Sequence, residues 1–444
     1  MGLLIDHAEA VARGERSSVE LVSDAVAAAE RLQPALNAFT QIYAHEALAA
    51  AADADADVTG DQPLRGVPVA VKDLYDVAGR VTSGCSRAYL DTVPATADAP
   101  AVAALRRAGA IVIGKTNMHE LAFGATNAFS CYGPTINPWD PARMTGGSSG
   151  GSGAAVAARI VGLALGTDTG GSVRIPASFC GVSGLKTTWG LLPLYGVLPM
   201  APTLDTVGPL ATDAADLALA FDVLTGVTSS PIGFDSLRVG IARDPFFDDV
   251  DAGVVLAVEE AATTLSADVR DVAVAWASEA DEAWLPIAVA EFGREHRTLA
   301  DDPDKLDPST YAILLAGIAT PAEDERRARE HVVAARAAFA EAMRDVDVLV
   351  IPSTPFAAPR HEDQTVPAGK IELPVHLGGP SHFTRPVNIV GAPAVALPVG
   401  FTAPGLPIGM QLVGRRGDER LLLAAGSAYQ AKTDWHTRVP PVHA

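Results

Sequence analysis

Two glycine–serine clusters and one lysine carry most of the chemistry this sequence offers. The first cluster, 146–153, presents Ser148 and Ser149, and the second, 170–172, presents Ser172. Glycine tolerates φ > 0 and lets backbone N–H groups come close to a ligand, so two such loops can form one anion-binding concavity. The apolar connector between them reads as a short helix over 154–160 and a buried strand over 161–166. A helix followed by a strand turns the chain back, which would set both loops on one cleft. That arrangement suits a hydroxyl nucleophile with oxyanion donors beside it. A flexible linker is also rich in Gly and Ser, but it would not lie between Asn137-Pro138-Trp139-Asp140-Pro141 and a hydrophobic run.

Lys72 closes an apolar strand read over 67–71 and is followed by Asp73. Burial disfavours an unpaired ammonium, so two readings stand. One is a Lys72–Asp73 ion pair at a strand end. The other is a lysine of depressed pKa that acts as a base.

Other short motifs compete. Residues 146–150 and 147–151 both satisfy G-x-S-x-G, the nucleophile elbow, which needs a buried strand directly before it; two prolines in a turn-like segment stand there instead. An esterase of α/β-hydrolase type would use Ser149 with a distant histidine, His376 or His382, and an acid. Ser183 and Lys186 satisfy S-x-x-K without its companion motifs, and we read the match as coincidence. No Walker A pattern is present, so the glycines are not expected to hold a nucleotide phosphate. His119 beside Glu120 lacks a second ligand pair at metal spacing among the ten histidines. It is expected to hydrogen-bond locally, with no metal and no cofactor.

Taken together, GGSSGGSGAAVA, GTDTGGSVRIPASFCGVSGLK and the upstream GVPVAVKDLYDVAG resemble the signature segments of the amidase signature family of serine amidohydrolases. NPWDP, LDTVGPLATDAADLA, NIVGAPAVALPVGF and GLPIGMQLVG extend the likeness over most of 60–225 and 380–430. The resemblance implies a Ser–cis-Ser–Lys triad: Ser172 as nucleophile, Ser148 as bridging serine after a cis Gly147–Ser148 bond, and Lys72 as base. It implies Ser148 Oγ within hydrogen-bond reach of both Lys72 Nζ and Ser172 Oγ. The oxyanion hole would be the N–H groups of Thr169, Gly170, Gly171 and Ser172. Thr145, Gly146, Gly147, Phe129, Tyr132 and Trp189 are the candidate substrate contacts. Lys186-Thr187-Thr188-Trp189 departs from the Lys-Pro-Thr pattern of many members, which bears on a pocket wall and not on the triad.

The implied activity is hydrolysis of a carboxylic amide C–N bond through an acyl-enzyme, releasing ammonia or an amine. A stand-alone amidase acting on a small molecule is the reading preferred. The alternative is the A-type subunit of a tRNA-dependent amidotransferase, and a catalytically silent assembly protein is the remaining class.

The elements that must position these groups alternate helix and strand. Helices are read over 3–11, 19–32 (behind a Ser17 cap with Glu20) and 46–56, then a helix at 99–108 and a strand at 110–114. Past the signature come a helix at 212–225, a strand at 237–242, a helix at 251–265, a strand at 269–274 and long charged helices to 344. A strand at 348–352, a Pro/Gly-rich excursion over 353–383, a helix at 383–389, strands at 394–399 and 408–413 and a helix at 419–432 complete the chain. The expectation is an α/β fold, one large domain over 1–444 with a mixed central sheet covered by helices on both faces. Within it we place N-terminal helices (1–60), a signature core (61–225), a variable part (226–380) and closing strands with a helix (381–444). Pocket walls are expected from 123–132, 189–195 and 353–383.

Composition sets the partners. The chain has 33 Lys and Arg against 53 Asp and Glu, a net charge of −20. An acidic surface repels nucleic acid and anionic membrane, so neither is expected as a partner, and a homodimer is the only self-assembly entertained. Three cysteines without framework spacing fit reduced thiols. With no run of 18 apolar residues and no basic leader before an apolar stretch, the expected location is the cytoplasm.

Overall fold

The computed structural model describes residues 2–57, 62–227, 237–243, 247–376 and 378–443. Residue 377, inside the 353–383 excursion, and 228–236 and 244–246, inside the part read as variable, lie outside the described residues.

Thirteen strands are present among the described residues: β1 (Phe39–Ile42), β2 (Pro68–Lys72), β3 (Ile111–Thr116), β4 (Leu163–Asp168), β5 (Ser183–Lys186), β6 (Thr206–Ala211), β7 (Val239–Arg243), β8 (Val269–Ala273), β9 (Val348–Pro352), β10 (Thr365–Ala368), β11 (Ile371–Pro374), β12 (Ala394–Phe401) and β13 (Pro407–Val413). Eleven form one mixed sheet in the order β1-β3-β2-β4-β6-β5-β12-β13-β9-β7-β8, and β10 and β11 form a separate hairpin. The fold is therefore the α/β single domain with a mixed central sheet flanked by helices that the sequence led us to expect. Parallel pairing of β2 with β3 and β4 places their C-terminal ends side by side. Outside the carboxyl ends of such strands is where open α/β sheets bind ligands.

Several elements differ from the sequence reading. The signature helix is Gly150–Ala157, a turn earlier than expected, and a Cβ on Gly151 would come within 2.4 Å of the Asn117 carbonyl oxygen. A helix at Arg174–Cys180 was missed because Pro176 argues against one; proline is tolerated in a first turn, where its missing N–H would have no partner anyway. The capping box of Ser17 and Glu20 is formed, and its helix runs Ser18–Leu36.

Strands β2, β4 and β9 are buried along their whole length, which matches their continuous apolar runs. No helix among the described residues is long and apolar enough to cross a membrane.

Candidate active site

Three segments meet at the C-terminal ends of β2 and β4. Lys72 is the last residue of β2 and is wholly buried. Its Nζ donates to Ser148 Oγ and to Thr167 Oγ1, each at 2.8 Å. Successive side chains on a strand alternate faces, so Asp73 points away. Asp73 pairs with Lys115 at 3.0 Å and accepts from Ser83, so the Lys72–Asp73 ion pair is not formed. With no carboxylate in contact, burial pushes the Lys72 pKa down from 10.5 to about 7, opposed in part by Asp168 and Asp205.

The Gly147–Ser148 peptide is cis. Ser149, by contrast, is bound to the backbone of Thr167, its Oγ donating to the carbonyl and accepting from the N–H at 3.3 Å each. Of the two serines, Ser148 faces the lysine and Ser149 fastens the loop to β4. The Ser149 N–H also donates to the Ser172 carbonyl at 3.2 Å, joining the two glycine clusters.

Ser172 is 8% exposed and lines a cavity of about 310 Å³. The expected hydrogen bond between Ser148 Oγ and Ser172 Oγ is absent among the described residues. Catalytic hydrogen bonds are commonly long in ligand-free sites and tighten when substrate binds.

The turn before Ser172 is held rigidly. Gly171 lies at φ 123°, where a Cβ would collide with Thr384. Its N–H donates to Asp168 Oδ1 at 2.9 Å, so of the four expected oxyanion donors Gly171 is already engaged. The N–H groups of Thr169, Gly170 and Ser172 have no protein acceptor among the described residues. Asp168 is fully buried; burial alone would raise its pKa, but Arg174, at 2.9 and 3.0 Å, and Asn388 hold it well below the carboxylate range.

The cavity wall departs from expectation. Phe123–Ala125, His376, Gly378 and Ser381 line it, as the reading of 123–132 and 353–383 anticipated. Thr145, Gly146 and Gly147 do not; Gly146 packs against Ile175 and Phe179 behind the wall. Phe129 stands a layer back, reaching the cavity only through His376, whose ring centre is 5.6 Å away. Tyr132 belongs to a loop whose carbonyl is tied to Asn37 at 2.8 Å. Trp189 is drawn off by the Gly391 carbonyl and the guanidinium groups of Arg336 and Arg416. Segment 189–195 therefore forms no wall.

The missed residues are Ala122, Ile175, Met200, Trp284, Leu285, Val289, Ile313 and Arg385. The apolar run Trp284–Val289 inside a helix otherwise rich in charge was the available signal. Thr167 was also missed, although a hydroxyl two residues before Thr169 was in plain view.

His119 was expected to hydrogen-bond locally. Its Nδ1 has no partner and its ring packs edge-on against Phe129, with Gly124 leaving the space it needs. Burial lowers its pKa to about 3, which keeps it neutral. Ser183 and Lys186 do not meet: Lys186 Nζ donates to the carbonyls of Ala392 and Thr187, and Ser183 accepts from Gln430.

With a buried lysine, two hydroxyls, a donor-lined turn and an apolar cavity in one place, the site has the parts of an acyl-transfer centre. The amidase profile matches residues 20–423, and this chain belongs to the amidase (amidase signature) family. The A-type subunit of the glutamyl-tRNA(Gln) amidotransferase of Thioalkalivibrio sulfidiphilus is 36% identical to it, covering 97% of each chain. A crystal structure of an amidase superposes with a TM-score of 0.91 at 33% identity, covering 97% of this chain and 100% of its own. A 6-aminohexanoate cyclic dimer hydrolase complexed with substrate superposes with a TM-score of 0.86 at 27% identity, over 99% and 98% of the two chains. An enzyme of amide C–N bond chemistry is the class these findings define.

Proposed function

We propose that this chain hydrolyses a small carboxylic amide whose acyl group is apolar, through an acyl-enzyme on Ser172. The observation that carries the reading is the Lys72–Ser148 contact of 2.8 Å in a fully buried setting with no carboxylate at hand. Neutral Lys72 takes the Ser148 hydroxyl proton as Ser148 takes that of Ser172, and the Ser172 oxygen adds to the amide carbon. The developing oxyanion falls to free N–H groups of the 169–172 turn. The ammonium of Lys72 then returns the proton through Ser148 to the leaving nitrogen, the C–N bond breaks, and water repeats the sequence to release the acid. Approach of the substrate carbonyl draws the Ser172 hydroxyl onto Ser148, closing the gap between them.

The cavity supports the acyl preference. Apart from His376, its one ionisable side chain among the described residues is Arg385, and Asp281 pairs with that guanidinium at 2.7 Å. An amino acid's two charges would find no free counter-charge there.

The relatives favour a second reading, an A-type amidotransferase subunit that draws ammonia from glutamine and works with partner chains. Ammonia release from hexanamide, benzamide and L-glutamine by the purified chain separates the two. Turnover of the apolar amides at least tenfold above glutamine is expected. Activity on glutamine alone, appearing only when partner subunits are added, would establish the second reading.

A further inference from the structure

We infer that Trp284 is a positioning residue that sets the oxyanion turn while its ring forms the cavity wall; the inference rests on the reading of Ser172 as nucleophile. The Trp284 indole Nε1 donates to the Thr169 carbonyl at 2.9 Å. That carbonyl and the Gly170 N–H share one planar trans peptide and point in opposite directions. Fixing the oxygen therefore fixes the direction of the Gly170 N–H, a donor with no protein acceptor among the described residues. The ring also lies so close that a Cβ on Gly170 would come within 2.7 Å of it.

The indole is itself held by two neighbours. Phe123 packs against it at 6.1 Å between ring centres, and the Arg385 guanidinium lies 5.6 Å from its centre. Arg385 is anchored by Asp281, which sits one turn before Trp284 on the helix Trp276–Glu295. Trp284 is 8% exposed and lines the cavity with Gly170 and Ser172. The surface that receives the acyl group is thus the surface that aims a transition-state donor. Thr384 holds the next carbonyl, that of Gly170, at 2.6 Å. The N–H of that second peptide belongs to Gly171, already bound to Asp168. The Asp168 carbonyl, whose peptide carries the Thr169 N–H, is held by Thr206 and Asn388 at 2.8 and 3.3 Å, but of the side chains that grip a peptide with a free donor Trp284 is the one that lines the cavity.

Two replacements remove the N–H and keep an aromatic wall: Trp284→Phe, and 3-benzothienylalanine at position 284, which matches the indole in shape. Each is assayed for benzamide turnover, for inhibition by phenylboronic acid (whose tetrahedral serine adduct presents an oxygen to the turn) and for labelling by a fluorophosphonate probe. Deleting one oxyanion donor costs about 10²–10³ in kcat, and loosening one should cost about tenfold. The expected result is a kcat lowered about tenfold in both variants, a boronate Ki weakened in parallel, and a KM within about twofold of the wild type. Unchanged kcat and Ki, or a raised KM at full kcat, would overturn the inference and leave the ring as wall alone. A Trp284→Phe chain that fails to fold leaves the isosteric replacement to decide. A wild-type chain inert to both probes would instead refute Ser172 as nucleophile, and the inference would fall with it.

Discussion

The buried lysine yields the sharpest prediction, because one number controls two measurements. With a pKa of about 7, Lys72 is neutral in about 9% of molecules at pH 6, about 50% at pH 7 and about 91% at pH 8. If the neutral amine is the base, the rate at which a fluorophosphonate labels Ser172 should rise about tenfold from pH 6 to pH 8 and then level off. Labelling needs no knowledge of the natural substrate, and the limb should reappear in kcat/KM for p-nitroacetanilide. Lys72→Met should lower both by on the order of 10³ or more. A labelling rate flat across this range, or a limb above pH 9 where an ordinary lysine titrates, would refute the mechanism.

The same shift must appear in stability with a definite sign. The folded pKa of about 7 lies below the ordinary lysine value of 10.5, so between them the unfolded chain binds a proton that the folded chain does not. The destabilisation from burying Lys72 is complete below about pH 7 when referred to the charged amine, and it diminishes as pH rises towards 10.5. From pH 7 to pH 9 the relief is about 2 kcal/mol. Lys72→Met removes the effect, so its melting temperature relative to wild type should be higher at pH 7 than at pH 9. For 444 residues at ~2.1 cal/mol/K each, 1 kcal/mol moves the melting point by about 1 °C, so the gap should narrow by about 2 °C. Scanning calorimetry at both pH values reads it directly, and a gap independent of pH would show that the amine is not desolvated as the structure has it.

Three further outcomes follow from contacts around the site. Thr167→Val removes the second acceptor of Lys72 at 2.8 Å and should reduce the labelling rate of Ser172 about tenfold through loss of alignment. Arg174→Met leaves the fully buried Asp168 without its ion pair; loss of about 3–5 kcal/mol in urea unfolding is expected, and stability within about 1 kcal/mol of wild type would contradict it. Gly170→Ala pushes a methyl to 2.7 Å from the Trp284 ring, and a cost of about 1–3 kcal/mol with a larger proportional loss of turnover is expected.

How much of this was legible depended on what each residue had to do. Lys72, Ser172 and the serine pair of the first cluster stood out because their types are constrained by chemistry, and the choice of Ser148 over Ser149 came from the family resemblance. Val348–Pro352 stood out because a strand buried on both faces must be continuously apolar. By contrast β6, TVGPLA, carries Gly-Pro in its middle and reads as a loop. The four-residue strands β1 and β5 are too short to show a period. Helix Trp276–Glu295 holds Pro286 and many charges, yet it supplies Trp284, Leu285 and Val289 to the cavity wall.

Those wall residues were illegible for a deeper reason. Trp284, Leu285, Val289 and Ile313 are the same types that fill a core, and what distinguishes a wall is a missing neighbour, which no residue announces. Two of the wall's features depend on chemistry rather than on volume: the indole N–H on Thr169, and the Asp281–Arg385 pair that holds the indole. On the proposed mechanism burial acts on the triad as well, since it lowers the Lys72 pKa and low-dielectric surroundings strengthen hydrogen bonds to a developing oxyanion. A wall residue exchanged for a polar one would therefore alter the base and the oxyanion donors as well as the fit of the acyl group. Substrate selection and rate are tied through a shared dielectric, and a change of specificity in this pocket should shift the pH limb of Lys72 with it.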